Sequence, residues 1–211
     1  MDNKDIRPVL WGVSGFLIGE SFRRVASEFA ERVRLEVINA HSDEAVDIVS
    51  ERLRHEHCDA LISAGANAAY IRERLPLPVI AVRIGGFDIM DAMAQARRVS
   101  DKIGVVLHTT AAKDLRAFAK AFSLNVEFRY YYTMQEGRNA MGELAALGIK
   151  AIVGAGAVVT MAEDFGMVGF FVYTLDSVRL GIEDALSIIS AKMAERSRHT
   201  LLHKLGNSFG H

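Results

Sequence analysis

The sequence contains an internal repeat, and this feature constrains the fold more than any other. Residues 59–66 (DALISAGA) align with residues 150–157 (KAIVGAGA) at an offset of 91 positions (59 to 150), with four of the eight residues identical. At the same offset, the apolar run 79–82 falls on 170–173. A repeat of this kind predicts two similar structural units in tandem.

Short apolar runs alternate with longer segments of helical periodicity along the whole chain. Runs rich in Val, Ile and Leu indicate strands buried on both faces, and helices between them imply a parallel sheet with right-handed crossovers. We therefore predict an α/β protein with two tandem, internally duplicated three-layer subdomains. Each is expected to hold a four-stranded parallel sheet, and the two are expected to face each other across a cleft. The predicted strands are residues 8–13, 35–38, 60–63, 79–82, 103–107, 126–131, 151–153 and 169–173.

The repeat also predicts where the subdomains begin and end. The first is expected to span residues 1–87 and the second residues 88–175. An apolar stripe of helical spacing predicts that residues 176–195 form a long helix that returns to the first subdomain. The helical pattern continues from Ser187 to Leu205. Residues 196–211 are therefore interpreted as a linker toward a further domain or as part of a dimerisation helix, and a frayed basic terminus is the alternative.

The composition excludes several classes of protein. The chain carries 25 Lys and Arg against 26 Asp and Glu, a formal net charge of −1, which argues against direct contact with nucleic acid or an anionic membrane surface. The single cysteine, Cys58, cannot form an intramolecular disulfide, so we expect a cytoplasmic protein. The polar N-terminus is unlike a signal peptide, and no apolar run approaches the roughly 20 residues of a membrane-spanning helix.

The residues that directly follow the predicted strands are the candidate binding residues, because parallel sheets bind ligands outside the carboxyl ends of their strands. Most are small or carry hydroxyl or amide groups, and they include no paired carboxylates. Backbone N–H groups in such turns can donate to carboxylate or phosphate oxygens. The alternative is that small residues only satisfy the turn geometry. The predicted ligand-binding residues are Ser14, Ser63, Ala64, Gly65, Ala66, Asn67, Gly85, Gly86, His108, Thr109, Thr110, Tyr132, Gly154, Ala155, Gly156, Ala157, Tyr173, Ser177 and Arg179.

Two arginines, Arg83 and Arg179, lie closest to the predicted strand ends. The guanidinium group binds a carboxylate through two parallel hydrogen bonds, so either arginine could hold an acidic ligand. The alternative for both is a surface ion pair.

The sequence predicts no catalytic residue, metal or cofactor. A dinucleotide-binding fingerprint at residues 154–156 (GAG) would need a small residue at position 159, where Val159 stands. His108 has no Cys or Glu companion at metal-ligand spacing. An enzyme acting on a small carboxylic acid, racemase-like or lyase-like, is the alternative hypothesis, although two-domain racemases of similar architecture use two cysteines. A dimerisation scaffold is a third hypothesis.

Several segments of the sequence carry a family resemblance. They are 58–67 (CDALISAGAN), 77–80 (LPVI), 86–89 (GFDI), 103–106 (IGVV) and 153–156 (VGAG). Together they resemble the N-terminal sensor of propionate-catabolism (PrpR-type) activators, which are sigma-54-dependent transcriptional regulators. The resemblance extends in order over residues 6–195.

The resemblance implies a fold of two chelatase-like α/β subdomains and an effector that is 2-methylcitrate or a related tricarboxylate. It also implies a sensor that precedes an ATPase domain and a helix-turn-helix DNA-binding domain. Phe87 stands where the Gly-Tyr-Asp motif of the family would place a tyrosine, so a different small acid is an alternative effector. We expect the ligand to favour a closed arrangement with hinges near residues 87–88 and 174–176, and we expect a homo-oligomer.

Overall fold

Parallel strands form two four-stranded sheets in the computed structural model. The structure describes residues 7–108, 119–121 and 123–208, and residues 199–208 through their backbone only. The strands are β1 Val9–Ser14, β2 Arg34–Asn39, β3 Ala60–Ala64, β4 Val79–Val82, β5 Ile103–His108, β6 Val126–Tyr131, β7 Ala151–Gly154 and β8 Val168–Phe171. The strand order is β2-β1-β3-β4 in the first sheet and β6-β5-β7-β8 in the second. The predicted fold class is therefore confirmed.

Helices connect the strands on both faces of the sheets. They are α1 Phe16–Ala26, α2 Ser42–Arg52, α3 Gly65–Arg72, α4 Gly86–Ala96, α5 Met134–Ala146, α6 Gly156–Asp164 and α7 Leu175–Ser208, with a short 3-10 helix at Ser27–Phe29. The last helix, α7, is 34 residues long and continues from the returning segment 176–195 to Ser208, in agreement with the helical pattern that reaches Leu205 in the sequence. Among the described residues, no helix is both long enough and apolar enough to cross a membrane.

The internal repeat is visible in the positions where equivalent strands begin. Strands β1 and β5 begin 94 residues apart (9 and 103), β3 and β7 begin 91 apart (60 and 151), and β4 and β8 begin 89 apart (79 and 168). The offset falls along the chain because the connections differ in length. A single offset of 91 therefore aligns β3 with β7 but places the eighth strand too late. Val172 and Tyr173 were predicted to belong to this strand, but in the structure they lie in the turn that leads into α7.

Each sheet is covered by a helix that comes from a connection between the subdomains. Helix α4 follows β4 and packs on β7 and β8, whereas α7 follows β8 and returns to β3 and β4. Gly181 permits this close approach of α7, since a Cβ there would lie 3.1 Å from the Val82 Cγ2 and 3.2 Å from the Ile62 Cδ1. One cluster of buried apolar side chains includes residues of both sheets, from Leu10 in β1 to Val153 in β7.

Candidate functional site

The carboxyl ends of the two sheets face each other, and two turns that the repeat makes equivalent come close together. Gly65 begins α3 directly after β3, and Gly156 begins α6 after β7. A Cβ on Gly65 would lie 3.9 Å from the Ala155 Cβ, and a Cβ on Gly156 would lie 3.8 Å from the Leu17 Cβ. Turns from both subdomains therefore meet at the carboxyl edges of the two sheets, where parallel sheets bind ligands, and we call the region between these edges the cleft.

Tyr173 occupies the contact between the two subdomains. A Cβ on Gly65 would lie 3.6 Å from the Tyr173 hydroxyl, and the Tyr173 side chain is 7% exposed. Burial raises the pKa of this hydroxyl well above its usual range, and a hydrogen bond from the Gly65 backbone partly opposes the shift. Tyr173 thus remains protonated and holds one subdomain against the other.

Asn67 joins the ends of three strands in the first subdomain. Its amide nitrogen donates to the Ser63 hydroxyl (3.2 Å) and to the carbonyl oxygens of Val13 (3.2 Å) and Ala40 (3.3 Å). Its amide oxygen accepts from the Ser42 N–H (2.9 Å), and Ser42 has a positive φ of 54°. The polar groups of Ser63 and Asn67, both predicted to bind ligand, are therefore engaged within the protein, where they fix the shape of one wall.

The second subdomain replaces this polar network by apolar packing. The repeat aligns Ser63 with Gly154 and Asn67 with Val158. A Cβ on Gly154 would lie only 2.7 Å from the Val158 Cβ, so glycine is required for this close packing. The two walls of the cleft thus have equivalent backbone segments, but one carries hydrogen-bonded polar side chains and the other carries apolar ones.

His108 and Tyr132 form an aromatic group at the carboxyl end of the second sheet. The His108 ring lies edge-on to Tyr131 and Tyr132, with ring centroids 5.7 and 5.8 Å apart. Burial lowers the pKa of His108 below its ordinary value, so the neutral ring is favoured near pH 7. The Tyr132 side chain is 69% exposed and is available to a ligand.

Asp88 organises the two connections between the subdomains, and the set of residues predicted from the sequence omits it. This buried carboxylate accepts from the Gly85 N–H (2.6 Å), from the Thr174 N–H (3.0 Å) and from the Ser177 hydroxyl. The polar groups that Gly85 and Ser177 were expected to offer a ligand are thus bound to Asp88. An acidic residue three positions after a helix N-cap residue, here Gly85, is a capping signal that could have identified it.

The two arginines near the predicted strand ends form surface ion pairs. Arg179 binds both oxygens of Glu28 (2.7 Å each) and one oxygen of Asp176 (2.6 Å), and Arg83 binds Asp184 (2.7 Å). The hydrogen bond to Arg179 lowers the pKa of Glu28. Glu28 lies in the short 3-10 helix beyond the C-terminal end of α1, whereas the cleft faces its N-terminal end. Hence the position of Arg179 does not support the predicted role in ligand binding.

Three helices that start at the cleft have no side chain capping their first turn: α1, α3 and α6. Free backbone N–H groups at a helix N-terminus favour an anion.

The other residues predicted to bind ligand also lie at this edge of the sheets. Ser14 ends β1 and is 3% exposed. The remaining predicted residues lie at helix starts: Ala64 and Ala66 at α3, Gly86 at α4, Ala157 at α6.

Thr109 and Thr110, also predicted to bind ligand, lie outside the described residues. Among the residues that are described, no group of three or more His, Cys, Asp or Glu side chains could hold a metal ion.

One family model and several solved structures are similar to this chain. The family model PrpR_N, described as propionate catabolism activator, matches residues 29–195. The crystal structure of an NtrC family transcriptional regulator from Clostridium acetobutylicum has the same fold, with a TM-score of 0.75 at 20% sequence identity over 89% of this chain and 99% of that one. A periplasmic solute binding protein of an ABC transporter from Actinobacillus succinogenes, with bound D-allose, gives a TM-score of 0.42 at 16% identity over 88% of this chain and 92% of that one.

Proposed function

This chain belongs to the propionate catabolism activator family, and from that membership we propose that it senses a small carboxylate effector for a transcriptional regulator. The effector binds in the cleft between the two sheets. The observation that carries this proposal is the approach of Gly65 to Ala155 and Tyr173, because it brings the strand-end turns of both subdomains to one site. The effector that the family suggests is 2-methylcitrate or a related acid.

The binding signal is carried by closure of the two subdomains. Both covalent connections between them pass the cluster of Asp88, Thr174 and Ser177, so bending there changes the angle between the sheets. Helix α7 starts at this cluster, packs on the first sheet and then continues to Ser208. It is therefore suited to transmit closure to an ATPase domain and a DNA-binding domain farther along the chain. Its residues 190–198 are exposed, which suits a homo-oligomer.

The chemistry of Cys58 argues against the enzyme alternative. A racemase-like reaction would need a thiolate at the ligand, but burial raises the pKa of Cys58 to about 12. Cys58 also precedes β3, so it lies at the end of the strand opposite to the cleft. The domain is therefore proposed to bind its acid without converting it.

Thermal unfolding and calorimetry with 2-methylcitrate, citrate and propionate test the proposal. A ligand present at about 100 times its Kd adds about 2.7 kcal/mol to the free energy of unfolding. An effective acid is expected to raise Tm, to be recovered unchanged, and to reduce the radius of gyration measured by small-angle scattering.

Two matched variants locate the site. Gly156→Val places a side chain toward Leu17 in the cleft, whereas Gly142→Val adds the same side chain in α5, away from it. We expect only Gly156→Val to abolish the rise in Tm. A set of small acids that all leave Tm unchanged would contradict the sensing function, and consumption of an acid would favour the enzyme.

A further inference from the structure

Tyr131 is a buried residue whose hydroxyl has no hydrogen-bond partner among the described residues. It ends β6 and packs on α5, since a Cβ on Gly137 would lie 3.6 Å from the Tyr131 ring. The residue is 3% exposed, and burial raises the pKa of its hydroxyl. A buried hydroxyl without a partner costs free energy, so its presence in a folded protein points to a partner that binds from outside.

The Tyr131 hydroxyl keeps access to solvent even though the residue is almost fully buried. In the described part of the chain, Trp11 Nε1 is the one buried side-chain polar atom that has neither a partner nor contact with solvent. The Tyr131 oxygen also lacks a partner, so it must reach solvent. Repulsion from Tyr131 adds to the effect of burial in raising the pKa of Tyr173, so the two hydroxyls lie close together. The Tyr173 hydroxyl lies beside Gly65, where the subdomains meet, and hence the Tyr131 hydroxyl faces the cleft.

The Tyr173 hydroxyl has its oxygen engaged but its proton free. Its oxygen accepts a hydrogen bond from the Gly65 backbone, and no described acceptor takes its proton. Asp88 is the carboxylate near Tyr173, and its oxygens are occupied by the donors of the hinge. Because burial keeps both tyrosines protonated, each can donate one hydrogen bond. Two neighbouring donors match the two oxygens of a carboxylate.

The N-terminus of α6 adds backbone donors at the same place. A Cβ on Gly65 would lie 3.6 Å from the Tyr173 hydroxyl and 3.9 Å from the Cβ of Ala155, the residue before α6. The first turn of α6 has no side-chain cap, and the partial positive charge of a helix N-terminus favours an anion. The hydroxyls and the helix N-terminus thus offer an incoming group hydrogen-bond donors.

We infer that Tyr131 and Tyr173 bind one carboxylate group of the effector, each donating its hydroxyl proton to one oxygen. The inference rests on the proposed function and names side chains that select the ligand. Tyr131 belongs to the second subdomain, and Tyr173 is bound by Gly65 of the first, so the carboxylate bridges the two and favours closure. Tyr173 also directly precedes Thr174, which Asp88 binds at the hinge, so the ligand acts on this connection.

Calorimetric titration of the chain with 2-methylcitrate, citrate, tricarballylate and propionate tests the inference. Tyr131→Phe and Tyr173→Phe each remove one hydroxyl and keep the ring. For the acid that the parent binds most tightly, we expect each variant to weaken binding by about tenfold or more, since each loses a hydrogen bond to a charged group. Tyr70→Phe is the matched control, because the Tyr70 hydroxyl already donates to Asp43, and its affinity should equal that of the parent.

Thermal unfolding without ligand separates a binding role of the Tyr131 hydroxyl from a structural one. Tyr131→Phe removes a buried hydroxyl that has no described partner, so it should leave Tm unchanged or raise it. Tyr173→Phe loses the hydrogen bond from Gly65 and should lower Tm. A lower Tm of Tyr131→Phe would show that this hydroxyl stabilises the protein itself, and would overturn the inference.

The four acids also identify the group that is bound. Tricarballylate has the three carboxylates of citrate without its hydroxyl, and propionate has a carboxylate as its one polar group. A loss of affinity in Tyr131→Phe that is confined to the acids with a hydroxyl would contradict binding of a carboxylate. Equal affinities of Tyr131→Phe and the parent would overturn the inference while the sensing function stands. If none of the four acids binds the parent, both proposals are wrong.

Discussion

The carboxylate of Asp88 accepts hydrogen bonds from both the backbone N–H (3.0 Å) and the hydroxyl (2.5 Å) of Thr174, which lies 86 residues later in the chain. Asp88 lies in the first connection between the sheets and Thr174 in the second. This contact therefore ties the two connections at one point, next to the cleft that we propose as the binding site.

Asp88→Asn is expected to lower the free energy of unfolding by about 2 kcal/mol, because an amide cannot accept from all the donors that surround this buried side chain. Urea denaturation measures the change. Asp91→Asn, on the exposed face of the same helix, is the control and should change stability by less than about 0.5 kcal/mol. Equal effects of the two substitutions would show that Asp88 has no special role at the hinge.

Gly65→Ala tests the contact between the subdomains. Gly65 and Gly148 both have a positive φ (54° and 73°), so alanine at either position is expected to cost about 1 kcal/mol of backbone strain. A Cβ at Gly148 meets nothing within 4 Å, whereas a Cβ at Gly65 faces Tyr173. Both variants should lose similar stability, and only Gly65→Ala should also change ligand affinity. An equal change of ligand affinity in Gly65→Ala and Gly148→Ala would contradict a specific role of Gly65 at the contact between the subdomains.

Asn67→Ala is expected to reduce stability by about 1–3 kcal/mol, because it leaves the Ser42 N–H and two strand-end carbonyls without their partner. The double variant Ser63→Gly with Asn67→Val copies the pair found in the second subdomain and should recover part of this loss. Asn139→Ala, which removes an exposed amide on α5, is the control. Chemical denaturation measures all of these variants, and a double variant less stable than Asn67→Ala would contradict the proposed equivalence.

The stability of the protein should depend on pH through His108. Burial lowers the pKa of His108 in the folded state below the ordinary value of 6.5, so between these two values the unfolded chain binds more protons than the folded one. Stability contributed by the neutral ring is present above pH 6.5 and is lost as the pH falls below it. Urea midpoints measured at pH 7.5 and 5.5 should show this fall, and His108→Asn should reduce it. His55→Asn, at an exposed histidine, should not.

The sequence predicts most of the architecture, and the ligand site that it suggests stays a prediction. Apolar runs and helical periodicity report which faces of an element are buried, so the order of strands and helices is readable from local pattern. In the structure, α3 and α6 begin at equivalent positions of the repeat around residues 59–66, at Gly65 and Gly156. The end of β8 was predicted too late because one offset cannot represent connections of different length.

The roles of polar residues were harder to predict. Ser177 and Gly85 have the residue types of a ligand site, but their polar groups are taken by Asp88. Arg179 has the right chemistry for a carboxylate, but its partners are Glu28 and Asp176. A side chain of a given type can bind a ligand or bind another residue of the protein, and the residue type alone does not distinguish these two roles.

The sequence by itself therefore determined the two tandem α/β units and the order of their strands along the chain, because these follow from periodicity within single elements and from their repetition. Only the tertiary structure decided which polar groups at the carboxyl edges of the sheets are already paired and which rings remain exposed. Asp88 and Thr174 meet through the path of the whole chain, and no local pattern encodes a partner 86 residues away.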